Sequence, residues 1–471
     1  MTVFSRILRS SRDETGVAMI IAVVLSSVIA TLGVLMLATA THTDKATARG
    51  RHRTQALHVA ESGIEQALAR IQAAQGSLAS TSFSGDTELG DYDVTITRLP
   101  RNTYEIESVG GVRRGRVLGA ERRIKVTLQP PLTFDKALFS YTTVETKNND
   151  IINGDVWGNH SVILALGTQV YGSAVAAAGY IDIGSTSIVD GELWSGGYNP
   201  DGGYAIRIRS TAQVGSDIKA SVQNVGCSGS DNSNYKIRLD SGVIVGGDAT
   251  TWGPLVEGSG IQGATYLNTC TQSPPTKSLP TFTFAPSNYD SVTYFGTPTS
   301  SSLTATTEFR NHILGLGNRI SGTFYINQAD PVSQSTRIDL TNTVITGDTT
   351  IITNTPIFTN GTTDETSDAT LTLISTYDPP ASSSCDVNDD ASECSMHIKN
   401  NLSISGTTAV ALYAPYGPVA IKNNAEQFGA IFADSIQIKN NQTLTYDDRV
   451  ARIVGFGEVT YEVTRWEELP G

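Results

Sequence analysis

Five acidic residues stand in short glycine-punctuated runs of the C-terminal two-thirds of this 471-residue chain: Asp155, Asp182, Asp190, Glu192 and Asp248. Paired carboxylates on a β-helix could cleave a polysaccharide, because glycoside chemistry needs one acid beside one base or nucleophile. Spacing alone pairs none of these five, and each also reads as a surface carboxylate beside a turn. A second oxygen-rich stretch is "DVNDD" with the glutamate that follows. There Asp386, Asn388, Asp390 and Glu393 offer ligands at near-alternate positions, as calcium loops do. The glycine and the twelve-residue spacing of an EF-hand are missing, so an ordinary solvated acidic loop competes with calcium. No other cofactor is expected. The six histidines are scattered, with no HExxH pair and no metal spacing. No phosphate-binding GxxxxGK[ST] loop and no GxSxG elbow occurs. The expectation is a protein that is not an enzyme.

Four cysteines, Cys227, Cys270, Cys385 and Cys394, lie in the C-terminal part. In an exported chain this even number implies two disulfides. Three pairings are open, and 227–270 with 385–394 closes the shortest loops. Net charge is −13. Residues 1–72 carry +3 and the remainder −16, which argues against nucleic acid as a partner. The remainder is rich in Thr, Ser, Gly and Asn, a composition that suits a β-rich extracellular domain.

The elements that must carry these residues begin with "TGVAMIIAVVL" at 15–25. From Val17 to Thr41 no residue is charged, and a helix there would span roughly 37 Å, enough to cross a bilayer core. Arg6, Arg9 and Arg12 would hold the leader on the cytoplasmic side. Three readings compete: a secretory signal cut after Ala38-Thr39-Ala40, a plain anchor, and a prepilin-type signal cut between Gly16 and Val17. Beyond the apolar run, Leu57, Ala60, Ile64, Leu68 and Ile71 recur at helical spacing. The helix therefore continues as an amphipathic one to about residue 75, with Gly50 and Gly63 as weak points.

With "TGVAMIIAVVL" and "HVAESGIEQAL" (58–68), the chain resembles the type IV pilin superfamily, and specifically its PilX-like minor pilins, over about the first 130 residues. The resemblance implies cleavage between Gly16 and Val17 by prepilin peptidase and methylation of the new N-terminus. It implies other pilin subunits as partners through the helix, and the inner membrane before assembly. Major pilins carry a glutamate at the fifth mature residue; here that position is Ile21. The resemblance then implies a low-copy subunit at or near a filament tip, in a type IV pilus or as a type II secretion minor pseudopilin.

Alternating runs in 91–129 predict a small antiparallel sheet of three strands packed on the helix. After "LQPPL" (128–132) the texture changes to short strands with Gly and Asn corners. "GDVW" (154–157), "GSAV" (172–175) and "GELW" (191–194) echo one another, with looser echoes at "GSDI" (215–218) and "GGDA" (246–249). "KNN" recurs at 147–149, 399–401, 422–424 and 439–441, and Asn tolerates the left-handed backbone of a tight corner. Repeats near 18 residues that cannot bury a face alone predict an irregular β-solenoid, with a β-sandwich as the alternative. The stretch 411–448 looks like a solenoid domain found behind pilin-like stems in bacterial surface proteins.

The expected organisation is a leader (1–16), an assembly helix (17–41), an amphipathic helix and loop (42–83), a small sheet (84–130), a first solenoid part (131–272), a Pro/Ser/Thr-rich insertion (273–312) and a second solenoid part (313–471). The fold class is a pilin-like long α-helix with a small sheet, followed by a mainly-β body. The expected function is assembly or adhesion at the cell surface, the solenoid meeting a surface, a glycan or a protein ligand. The alternative is a β-helix enzyme acting on polysaccharide.

Overall fold

A computed structural model of the chain describes residues 4–74, 78–99, 103–114, 117–129, 133–221, 233–256, 260–289, 291–296, 304–328, 336–364, 369–380, 385, 393–399, 408–422, 426–451 and 461–469. The chain divides into two compact units, Met1–Gln129 with Thr460–Gly471, and Pro130–Val459.

In the first unit, helix α1 runs unbroken over Phe4–Ala73. No proline interrupts it, and its apolar side chains from Met19 to Leu37 are exposed. That part is long and apolar enough to cross a membrane. Ser26, Ser27 and Thr31 turn their hydroxyls back onto helix carbonyls, so they need no water. The later part of α1 buries Ala56, Val59, Ala60, Ile64, Ala67 and Ile71. The stripe is rotated slightly from the expected one, toward smaller residues. The reason is close packing on the sheet: a Cβ at Gly110 would lie 2.3 Å from Ala60 N, and one at Gly63 would lie 2.3 Å from Ser108 Oγ. Gly63 is therefore a contact point rather than a weak one.

The sheet has five strands, not three. Strands β1 (Thr81–Thr87), β2 (Gly90–Arg98), β3 (Tyr104–Arg114) and β4 (Val117–Gln129) form an antiparallel meander. The C-terminal strand, Glu462–Leu469, then pairs with β4. The solenoid expected to reach residue 471 thus stops short of this strand. The long β4 would otherwise leave a row of unpaired backbone groups, and the returning strand satisfies them. Basic residues of β4 pair with acids on the neighbouring strands: Arg122 with Glu468 (3.2 Å), Arg123 with Glu107 (3.0 Å) and Lys125 with Glu105 (2.9 Å).

The second unit is a β-solenoid. Val156–Gly158, Ser161–Leu164 and Gln169–Val170 make one coil, and Ala174–Ala176, Ile181–Ile183 and Ile188–Val189 stack on it in parallel register. Alternate residues point inward, so Val156, Ala174, Leu193, Ile218 and Ala249 line one wall of a shared buried core. Parallel stacking of coil on coil rules out the β-sandwich.

The stack does not follow chain order. Ala409–Lys422 pairs with Glu426–Lys439, and that strand pairs with Leu138–Ser140 and Thr143–Thr146 from the start of the unit. The chain enters mid-stack and climbs to one end at Thr265–Leu267. It then crosses to the opposite end at Val292–Phe295, and fills back to the middle. Entry and exit lie side by side, where the Phe134 N–H donates to Ala451 O (3.1 Å). The second solenoid part therefore begins at Val292, inside the expected insertion. Helix α2 (Thr304–Gly315) closes that end with Ala305, Phe309 and Ile313 buried, Phe309 packing on Phe295 and Phe324.

One corner of the coil uses left-handed backbone at every level described: Asn441 (φ 56°), Asn149 (φ 53°), Gly167 (φ 71°), Thr186 (φ 60°), Thr211 (φ 61°) and Gly242 (φ 75°). Each of the first five donates its N–H to the carbonyl preceding the next: Asn148, Leu166, Ser185, Ser210 and Ser241, at 2.9–3.2 Å. Two of the four "KNN" runs thus sit where expected; residues 400–401 and 423–424 lie outside the described residues. The ladder is made by backbone, so Gly and Thr replace Asn within it.

Candidate functional site

Three outward columns of side chains run along the solenoid, one per face, because stacked coils align like positions. The first is aromatic. Register places Tyr294, Tyr325, Ile352, Ile374, Tyr413 and Phe432 in one line. The line continues through Phe139, Trp157, Val175, Trp194, Lys219, Thr250 and Tyr266. It spans both halves without a break. The second column is polar and holds Glu145, Ile163, Asp182, Arg207 and Arg238. The third alternates Ile and Gln through Ile151, Gln169, Ile188, Gln213 and Ile244.

The Pro/Ser/Thr-rich segment is a strap laid along the aromatic column. Thr271 bonds Ser221 (2.7 Å). Lys277 holds its Nζ 4.8 Å above the Trp157 ring and its N–H on Asn159 Oδ1 (3.0 Å). Tyr413 donates its hydroxyl to Pro280 O, and Phe284 stacks on Tyr325 with ring centroids 4.0 Å apart. From the level of Ser221 to that of Tyr325 is nine strand spacings, about 43 Å. The thirteen steps from Thr271 to Phe284 reach about 43 Å only when fully extended. Proline and β-branched threonine favour that extended state, which is why this composition is found here. The strap buries Phe139, Phe432, Tyr413 and Ile374 beneath it, and burial pushes the Tyr413 hydroxyl well above the usual tyrosine range.

Four of the five acidic residues considered for chemistry, Asp155, Asp182, Glu192 and Asp248, are engaged in structure. Asp155 Oδ1 accepts the Ser173 N–H (2.9 Å), and Ser173 Oγ accepts the Glu192 N–H (3.1 Å). Asp217 caps Asp248 N–H (2.8 Å), and Asp248 caps Ala264 N–H (2.7 Å). This stair of side-chain caps is the physical content of the "GDVW" echo. Asp217 and Asp248 occupy the place of Asp155, so the last two echoes run one residue later than "GSDI" and "GGDA", over 216–219 and 247–250. Burial would raise the Asp155 carboxyl, but the Ser173 N–H and Lys136 outweigh it and hold it below its usual value. Asp182 receives a bidentate grip from Arg209 (3.0 and 2.8 Å) and the Tyr204 hydroxyl (3.0 Å). Glu192 pairs with Lys219 (2.9 Å), and Asp190 is exposed.

Asp150 carries another perturbed carboxyl. It lies fully buried at the seam between the halves, accepting N–H groups from Gln442 (3.0 Å) and Lys147 (3.1 Å). Desolvation raises it to about 6 against those two hydrogen bonds.

Cys385 and Cys394 form the expected disulfide, with Cα atoms 4.8 Å apart. Cys270 is also disulfide-bonded, while Cys227 lies outside the described residues. Asp386, Asn388 and Asp390 of the calcium reading also lie outside them; Glu393 does not. Among the described residues no cluster of three His, Cys, Asp or Glu could hold a metal. Gly16 and Val17 fall on the helical backbone of α1, and Ile21 is exposed on it. The aromatic column escaped sequence reading, although its Trp157 and Trp194 end two of the echoes noticed there.

A protein-family model described as a domain of unknown function (DUF7305) matches residues 303–453, less than half of the chain. That range covers α2 and most of the second half of the solenoid. The first half, 133–272, stacks on its last strands as a continuation of the same coil. No curated protein and no solved structure matches the chain.

Proposed function

We propose that this protein is a minor-pilin-like surface subunit whose helix anchors and assembles it and whose solenoid makes contact outside the cell. The observation that carries this reading is the division of labour along α1. Its first part is apolar and exposed along its length; its second part buries one stripe against a small antiparallel sheet. A stem of this kind rests in a bilayer before assembly and packs on sister helices afterwards. Ile21 stands where a shaft subunit would carry a carboxylate, which favours a low-copy position. The tied-down state of Asp155, Asp182, Glu192 and Asp248 supports a binding role over hydrolysis.

N-terminal sequencing of the protein recovered from cells tests the stem. Mature Val17 is expected; Thr41 would mean a freely secreted protein, and Met1 a plain anchor. Deleting 130–459, which spares the returning strand of the stem's sheet, should leave membrane insertion intact and abolish attachment, whereas loss of the whole gene product should lower pilus number.

A further inference from the structure

We propose that a row of four lysines beside the left-handed corner holds a linear polyanion, a glycan that carries an acidic group on each sugar. Lys399, Lys422 and Lys439 stand opposite one another in the parallel register. Ile438 pairs with Thr146, so Lys147 is next in the row. These are the lysines of the four "KNN" runs, brought to consecutive levels across the seam. Their neighbours Ile398, Ile421, Ile438 and Thr146 are buried, and strand alternation therefore turns the lysines outward. Only eight lysines follow Gln129, and half of them are in this row, in a chain whose charge beyond residue 72 is −16.

Such a row is costly by itself. Neighbouring strands lie about 4.8 Å apart, and like charges directly opposite are destabilising. Elsewhere adjacent levels set opposite charges together, as Asp182 with Arg207 does. Glu145 pairs with Lys147, but among the described residues no acid pairs with Lys422 or Lys439. An anion lying along the row offsets the repulsion and clamps the seam between Lys439 and Lys147.

The form of the row selects the ligand. It is one residue wide and about 14 Å long, or three strand spacings. A bilayer or a nucleic-acid duplex is broad, and would bring the acidic faces of the body within range of its own charge. Single-stranded nucleic acid is held by ring stacking as well as by charge, and neither the row nor Asn148, Asn149, Asn440 and Asn441 at its corner offers a ring. In an extended acidic peptide, side chains on one face recur every 6.6 Å or about that, so by the fourth lysine the peptide has run about 5 Å ahead. A glycan with one acid per sugar sets its charges close to one strand spacing, and the flexible lysine stems take up the difference. Asn148 and Asn440 follow Lys147 and Lys439 in the corner, and their amides suit sugar hydroxyls. The proposal deepens the reading of the solenoid as the part that makes contact, and rests on it.

The test titrates the full chain in detergent with oligogalacturonate, hyaluronan, uncharged dextran, poly-glutamate and oligothymidylate. Oligogalacturonate should bind, and more tightly than hyaluronan, whose acids fall on every second sugar; dextran should not bind. The double variant Lys422→Gln/Lys439→Gln should weaken binding at least tenfold. Lys422→Arg/Lys439→Arg should retain most of it, and Lys236→Gln, outside the row, should change nothing. Because the glutamine pair relieves repulsion, its unfolding midpoint without ligand should be no lower than that of the parent. A lower midpoint would mean that these lysines serve the fold, and would overturn the proposal. So would no binding of oligogalacturonate, binding that survives the glutamine pair, or tighter binding of poly-glutamate or oligothymidylate. Failure here with Val17 found as the mature N-terminus would remove the site and leave the pilin reading standing.

Discussion

Two kinds of residue decide local stability in the solenoid. Asp150 is buried at the seam with a carboxyl raised to about 6 from 3.8. Because its folded value is the higher one, its contribution to stability is complete below pH 3.8 and is lost as pH rises through 6. That difference is worth up to about 3 kcal/mol. Asp150→Asn should flatten this part of the pH dependence, measured by denaturant unfolding at pH 4, 5, 6 and 7. Equal slopes in both proteins would remove Asp150 from the account. At the left-handed corner, Thr186 is an exposed β-branched residue at φ 60°, an uncommon conformation for its type. Thr186→Asn keeps a side chain that tolerates this backbone and should add about 1 kcal/mol. The two preceding levels already use Asn149 and Gly167.

At the scale of elements, the helix and its sheet are held by the absence of side chains. Gly110 and Gly63 let β3 approach the backbone of α1. A methyl group at Gly110 meets the main chain at Ala56 and Ala60, which cannot rotate away, so Gly110→Ala should cost 2 kcal/mol or about that. Loss of the protection of β3 amides in hydrogen exchange, with those of the solenoid unchanged, is the expected signature. This contact was half legible. The helical period located the stripe, but the sequence read Gly63 as a defect, because a glycine's use depends on what lies opposite. The "KNN" corners were legible for the reverse reason. The backbone preference of Asn149 and Asn441 belongs to those residues wherever the strands pair.

For the whole solenoid, the coil order matters most. The two halves share one core and one hydrogen-bonded corner, which crosses the seam at Asn441 and Asn148. The strap is needed to connect the ends, yet the halves are held together by the seam, where Glu426–Lys439 pairs with two strands of the first half. Cleavage at a protease site engineered at the exposed Pro275–Thr276 bond should therefore leave the fragments in one particle through size exclusion. They should part only in denaturant. Separation in plain buffer would show that the strap, not the seam, holds the solenoid.

What the sequence by itself determined is the kind of each element. The apolar run and helical period specify α1, the alternation specifies the small sheet, and the echoes and asparagines specify coils and corners. These follow from neighbours in the chain, through side-chain period and backbone preference. Only the tertiary structure decided which edges meet. The late strand Glu426–Lys439 pairs with the early Leu138–Ser140, the last strand returns to β4, and the Pro/Ser/Thr-rich segment becomes a strap. Parallel strand edges offer the same backbone groups whatever their sequence, so partners are chosen by which edge is free and which core the coil can share. The aromatic column exists only after that choice, since Phe432 and Phe139 become neighbours across nearly three hundred residues of chain.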